Sequence, residues 1–371
     1  MRKFASLIVL LIALPIFAQR DIETVNIENA AVRAYMADAQ RTYTSTSDYN
    51  VSVITKYNDS KYGTKLYWPN GKEVSWTPST SPDNIKEVRI TVRDAYDPDH
   101  VYTFNPSEKS ASSYIIRNLL PNTHYKYTVE EFYYSGKPSR SRRAHGEFKT
   151  TGQVRMIQVG GCANVRDLGG WPSQYGPRLK YGKLFRSANL DHINSKGIHD
   201  FVENLNVRAE LDLRSEAVGR STSPLGSDKN YLCVAHGGYL SAITKRSSVY
   251  PQDLRWINAR LREGKSVDWH CAIGCDRCGT LSFLIEGLLG LSELDLCRDY
   301  ELSTFLFSKK NKRARKSIES MITHIKGYGN SNENLATCFY KYWLSIGAKK
   351  EELNYLLHQM LGDNITLPNI D

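Results

Sequence analysis

The sequence predicts two folded units in series. An α/β unit, a mostly parallel sheet flanked by helices with a tight loop between a strand and a helix, occupies residues 152–371, and a small β-sandwich precedes it over residues 61–151. Three observations predict this. Strand-length and helix-length apolar runs alternate through the C-terminal part, the pattern of a parallel sheet with crossover helices. Short alternating strands separated by turn residues fill residues 61–151. Between a strand-like run at 266–269 and a helix-like run at 281–291 stands His270-Cys271-Ala272-Ile273-Gly274-Cys275-Asp276-Arg277. The length suits two domains of roughly 100–200 residues each.

Residues 1–18 are a basic start (Arg2, Lys3), an apolar run broken by Pro15, and a small residue at Ala18. That layout predicts a secretory signal peptide, too short for a spanning helix. The mature protein is therefore expected to be exported, periplasmic or extracellular, with no transmembrane segment. Residues 19–60 read as a helix over 27–43, with Ala30, Ala31, Ala34, Tyr35 and Ala39 on one face, then a strand-like stretch at 49–57. Nothing in this segment names a role beyond a linker or packing arm.

In the β-rich unit Val74 and Trp76 alternate with polar neighbours, as do residues 88–92, with turns at 82–84 and 97–99. Leu120, Tyr125, Tyr127 and Val129 follow the same period around Pro121-Asn122. Strands are expected at 184–185, 208–213, 231–235 and 267–269 of the second unit. Helices are expected at 195–205, 251–263, 281–289, 336–346 and 351–361.

The chemistry is concentrated at 270–277. A strand, a tight loop and a helix N-terminus make an anion cradle, because backbone N–H groups and the helix dipole converge there. The phosphate-binding set is Ala272, Ile273, Gly274, Cys275, Asp276 and Arg277, with Arg277 able to clamp two phosphate oxygens. The same field favours the thiolate of Cys271, the nucleophilic form. A structural cysteine beside a helix arginine is the bland alternative.

The net charge is +10, and six Lys/Arg fall within 309–316 and four within 137–143. Such runs are most often solvated faces, and otherwise a field that steers polyanions. No recognition motif accompanies them, so nucleic acid is not expected as a partner. The chain has seven cysteines, an odd number. His270, Cys271, Cys275 and Cys278 crowd one helix start, where metal binding would destroy the anion cradle; neither metal nor cofactor is expected.

The 270–277 segment resembles the P-loop of the protein tyrosine and dual-specificity phosphatases. Upstream, Asn164-Val165-Arg166-Asp167, Phe185-Arg186-Ser187 and Asp212-Leu213-Arg214-Ser215, and downstream Asp299-Tyr300-Glu301-Leu302-Ser303, resemble in order and spacing the bacterial tyrosine-phosphatase family. The resemblance covers about 152–371 and implies hydrolysis of phosphotyrosine-type monoesters through a phosphocysteine at Cys271. Phosphorylated protein is then the substrate; a phosphoinositide or inositol phosphate is the alternative. A reading from another class is a catalytically weak phosphate-binding or adhesion protein. Leu120-Pro121-Asn122-Thr123-His124-Tyr125 resembles the tyrosine-bearing corner of fibronectin type III domains.

The resemblance also implies roles. Asn164, Arg166, Asp167, Arg186 and His270 are expected to support the loop. Many relatives carry the general acid on a loop upstream of the cysteine, but residues 235–244 contain no carboxylate. Asp276, Asp212 and, third, His236 remain as candidates; for Asp212 an ion pair with Arg186 or Arg214 competes. Two positions depart from the family: Cys278 stands where Ser or Thr is usual, and Cys275 where Lys is frequent. In an exported protein either thiol is a candidate to trap oxidised Cys271 as a disulfide.

Overall fold

The computed structural model describes residues 21–37, 68–97, 99–215, 220–306 and 315–369. The signal-peptide stretch, the strand-like 49–57 stretch and most of the 309–316 basic run lie outside the described residues.

The first unit contains strands β1 (Thr24–Asn26), β2 (Lys72–Ser75), β3 (Ile85–Asp94), β4 (Val101–Phe104), β5 (Ser113–Ile116), β6 (His124–Tyr133) and β7 (Arg140–Thr151). Five of them form one sheet in the order β1-β7-β6-β3-β4, and β2 pairs with β5 in a second. The period-2 pattern explains the packing: Ile85, Val88, Ile90 and Val92 from β3 meet Val74 and Ile116 of the other sheet in one apolar cluster. At the corner before β6, the Leu120 amide donates to the Tyr125 hydroxyl at 3.0 Å.

The second unit holds β8 (Met156–Val159), β9 (Cys162–Asp167), β10 (Leu184–Ser187), β11 (Val207–Asp212), β12 (Asn230–Cys233) and β13 (Ser266–His270) in the order β12-β11-β13-β10-β9-β8. Neighbours from β12 to β10 run parallel, whereas β9 and β8 join antiparallel. Helices α2 (Ser195–His199), α3 (Tyr239–Lys245), α4 (Tyr250–Arg262), α5 (Asp276–Leu288), α6 (Glu293–Leu302), α7 (Arg315–Lys326), α8 (Leu335–Ser345) and α9 (Lys350–Leu361) accompany the sheet. The helix expected over 195–205 closes early, its second half being a wider turn at Asp200–Asn204. Among the described residues, no helix is long and apolar enough to cross a membrane.

The N-terminal segment ties the units together. Strand β1 extends the first sheet beside β7, and α1 (Ala30–Met36) buries Ala31, Val32 and Tyr35 in the core of the second unit. The Tyr35 hydroxyl donates to Glu301 on α6 at 2.5 Å. Buried Arg155 spans the junction, donating to the Asn118 and Leu119 carbonyls on one side and to Asp167 at 2.9 Å on the other.

Candidate active site

Three parallel strands end level with one another. Ser187 pairs with His270, and His270 with Asp212, across β10, β13 and β11. In open α/β sheets ligands bind beyond such carboxyl ends, and here the chain leaves β13 as the 271–275 loop and enters α5 at Asp276.

The loop's carbonyls are held from outside. Asn189 donates to the Ala272 carbonyl at 2.7 Å. Asn164 reaches those of Ile273 at 3.1 Å and Gly274 at 3.0 Å. Arg186 takes Gly274 at 3.0 Å and Cys275 at 3.2 Å. Tying the carbonyls outward turns amide N–H groups inward, toward the cysteine. Gly274 is required because its φ is +71° and a Cβ would lie 2.5 Å from the Ser187 carbonyl oxygen.

Beneath the loop lies a buried charge network. Arg166 grips Asp299 with two nitrogens, at 2.8 and 3.1 Å, and donates to Asn164 at 3.0 Å. Arg186 meets the same carboxylate at 2.7 Å. Burial opposes ionisation of Asp299, but the two guanidiniums overcome it and hold its pKa low. His270 meets Glu210 at 2.8 Å; burial disfavours its charged form, yet Glu210 raises its pKa.

Cys271 is buried at the base of the cup. The Cys278 thiol, donating to its sulfur, is the largest influence, joined against burial by the amides of Cys278 and Ile273 and by the charge of Arg277. Together they bring the Cys271 pKa down to about 4, so it is a thiolate at neutral pH. Burial and the adjacent thiolate push Cys278 up, so it stays a protonated donor. Cys275 is buried on another side, where Asn164 donates to its sulfur at 3.5 Å. Arg277 is half-buried and rests on the Leu213 carbonyl at 3.5 Å. Ala272 and Ile273 present their side chains to solvent.

The acid candidates separate. Asp212 is clamped by Arg214 through its backbone amide, Nε and a terminal nitrogen at 2.8–3.1 Å; burial would raise its pKa, but Arg214 and His270 lower it. It is the ion pair that competed with the acid reading, with Arg214 as partner. His236 spends Nδ1 on the Val234 carbonyl at 2.7 Å and Nε2 on Asp253 at 2.6 Å. Asp276, half-buried at the first turn of α5, accepts from the Tyr239 hydroxyl at 2.5 Å.

Asp167 differs from the sequence expectation. Its carboxylate takes Arg155 and the amides of Gly169 and Gly182, so it braces the junction between units while Asn164 and Arg166 face the loop. The alternation of β9 explains this, because neighbouring residues point to opposite faces. Asn189, Asp299 and Tyr239 were not assigned roles from sequence, whereas Arg214 is one of the two partners expected for Asp212. Asp299 lies in a recognised motif and Asn189 two residues beyond another, but no spacing singles out Tyr239. Among the described residues no group of His, Cys, Asp and Glu is arranged to hold a metal ion.

Residues 157–355, more than half of the chain, match the model of the tyrosine phosphatase family. Similar solved structures include TpbA of P. aeruginosa, at 16% identity over 46% of this chain and 96% of that one, with a TM-score of 0.32. The core catalytic domain of the PP-IP phosphatase SIW14 of S. cerevisiae is 18% identical over 42% of this chain and 93% of that one, with a TM-score of 0.28. Tk-PTP is 15% identical over 50% of this chain and 97% of its own, with a TM-score of 0.21. No curated protein matches the sequence. With its cysteine-centred site, the chain belongs to the tyrosine phosphatase family.

Proposed function

We propose that this cysteine-type phosphatase hydrolyses phosphotyrosine-type monoesters through a phosphocysteine on Cys271. The observation that carries the reading is a buried cysteine whose pKa is brought down to about 4 inside a loop with outward-tied carbonyls. The thiolate attacks phosphorus, Arg277 clamps the equatorial oxygens, and Asp276 protonates the departing oxygen. Water, activated by the same carboxylate, then cleaves the S–P bond and frees the thiolate and phosphate. Asp276 is favoured as the acid because Asp212 and His236 are committed to other partners. Cys278, through its thiol, fills the donor role that a hydroxyl plays in relatives.

Turnover of p-nitrophenyl phosphate by the purified protein tests this. Wild type is expected to turn over, Cys271→Ser to bind phosphate without turnover, and Arg277→Ala to lose both. A wild type that binds phosphate but does not turn over would favour the phosphate-binding reading instead. Parallel assays with a phosphotyrosyl peptide and an inositol polyphosphate separate the two substrate classes.

Two further readings belong to this proposal. The β-rich unit expected over residues 61–151 is read as a fibronectin type III-like module, supported by the Leu120–Tyr125 corner bond. The protein is exported after removal of residues 1–18, supported by their signal-peptide layout; the N-terminal sequence of the mature protein checks it.

A further inference from the structure

The stretch upstream of the cysteine that carries no carboxylate reaches the site with a phenol. Tyr239 opens α3, and its hydroxyl donates to Asp276 Oδ1 at 2.5 Å. The hydroxyl of Tyr300, from α6, donates in turn to that of Tyr239 at 2.9 Å. The backbone is held too. The Tyr239 amide donates to Thr280 Oγ1 at 2.7 Å, and the Thr280 hydroxyl donates to the Asp276 carbonyl at 2.9 Å. A closed ring of hydrogen bonds thus joins the start of α3 to the first turn of α5.

This arrangement carries backbone strain. Tyr239 has φ +64°, left-handed backbone that an aromatic residue seldom adopts. Strain of that kind persists only where the surroundings over-determine the conformation, and it clusters at functional sites. Here two side-chain and two backbone-linked bonds impose it, and its result is to set the phenol against the carboxylate.

We propose that Tyr239 is a positioning residue for the general acid, fixing the Asp276 carboxyl so that it faces the leaving-group oxygen, with Tyr300 holding the phenol in turn. The segment that supplies an acid in other phosphatases here supplies the clamp for an acid carried on the P-loop. This rests on the reading of Asp276 as the acid. Proton transfer needs hydrogen-bond reach in the reactive pose, and a carboxyl free to rotate at the mouth of the cup would spend little time there. The phenol gives up no proton in the cycle; the proton passes between Asp276 and the ester oxygen, then between water and Asp276.

The test is leaving-group dependence in the full-length mature protein. Wild type, Tyr239→Phe, Tyr300→Phe, Asp276→Asn and the Tyr239→Phe/Asp276→Asn double variant are assayed on aryl phosphates spanning good to poor leaving groups and on an alkyl phosphate. Tyr239→Phe is expected to lower kcat roughly tenfold on the poorest leaving group and little on p-nitrophenyl phosphate, with a smaller effect of the same form for Tyr300→Phe. The double variant should match Asp276→Asn alone. Uniform losses across all esters in Tyr239→Phe, or none, while Asp276→Asn steepens the dependence, would overturn the positioning role. A double variant worse than Asp276→Asn would overturn it too, because Tyr239 would then act independently. If Asp276→Asn itself shows no leaving-group dependence, the acid assignment falls first and the clamp with it. Tyr239→Phe that unfolds at the wild-type temperature excludes a folding defect as the cause of any change.

Discussion

The two units spend their buried polar groups differently. Over residues 72–151 the buried polar or charged side chains are Asn118, Glu131 and Thr150; Glu131 and Thr150 bond within the unit, and Asn118 donates across the junction to the Gln158 carbonyl. In the second unit Arg166, Arg186, Glu210, Asp212, Arg214, Asp268, His270 and Asp299 are all buried, most of them within two residues of the carboxyl ends of its central strands. Burying a charge costs several kcal/mol unless it is paired, and even a good pair is weak evidence for stability. A charge cluster of this size points instead to geometry that must be held: here, the carbonyls and the thiolate of the 271–275 loop.

The largest expected effect tests that contrast directly. Asp299→Ala leaves Arg166 and Arg186 buried without their carboxylate and should destabilise the protein by about 3–5 kcal/mol. Because both guanidiniums also hold the loop through Asn164 and the carbonyls of residues 274 and 275, phosphate affinity should fall with it. Tyr125→Phe, in the first unit, removes the acceptor of the Leu120 amide and should cost about 1 kcal/mol or somewhat more, leaving kcat/KM unchanged. Denaturant melts together with phosphate titration separate the two. Equal losses of activity in both variants would erase the distinction between the units.

A smaller effect concerns the thiol that replaces a hydroxyl. A donor to the thiolate favours the charged form, so Cys278→Ala should move the pH midpoint of Cys271 alkylation upward from about 4, by about one to two pH units. Cys278→Ser should keep it low. An unchanged midpoint in Cys278→Ala would mean that the loop amides and Arg277 suffice.

The same proximity predicts a redox outcome. Peroxide oxidises the Cys271 thiolate to a sulfenic acid and is itself reduced to water; the Cys278 thiol then attacks that sulfur, expelling water and forming a disulfide. Activity lost to mild peroxide should return with a dithiol, and in Cys278→Ser it should not. Cys275 is the weaker trapping candidate, since its sulfur lies against Asn164. Peptide mapping that finds no bridge between Cys271 and Cys278 would leave Cys278 only its hydrogen-bonding role.

Much of the site was legible because its signals are local. His270 through Arg277 is a contiguous strand–loop–helix, and Gly274 marks the turn that only glycine fits. The strands ending at Ser187, Asp212 and His270 were readable as apolar runs. Long-range side-chain partners were not legible. Arg155 looks like any strand-flanking arginine until folding places it between the Asn118 carbonyl and Asp167. Asp167 was grouped with Asn164 and Arg166 by motif, yet strand alternation sends it to the other face. Tyr239 follows two glycines in a stretch without charge, and nothing in one dimension tells that its hydroxyl meets an aspartate 37 positions on. Of the expected 27–43 helix the structure describes Ala30–Met36 as helical, and nothing local told that its Ala31 and Tyr35 would be buried in the core of a different unit.

The central claim is that Cys271 is the nucleophile, and acid quenching during turnover tests it most directly. With p-nitrophenyl phosphate in excess, wild type quenched within one turnover should carry a phosphoryl group on the peptide containing Cys271. The acid-stable fraction should rise in Asp276→Asn, where hydrolysis of the intermediate is slowed. A phosphoryl group on any other residue, or turnover persisting in Cys271→Ser, would contradict the account.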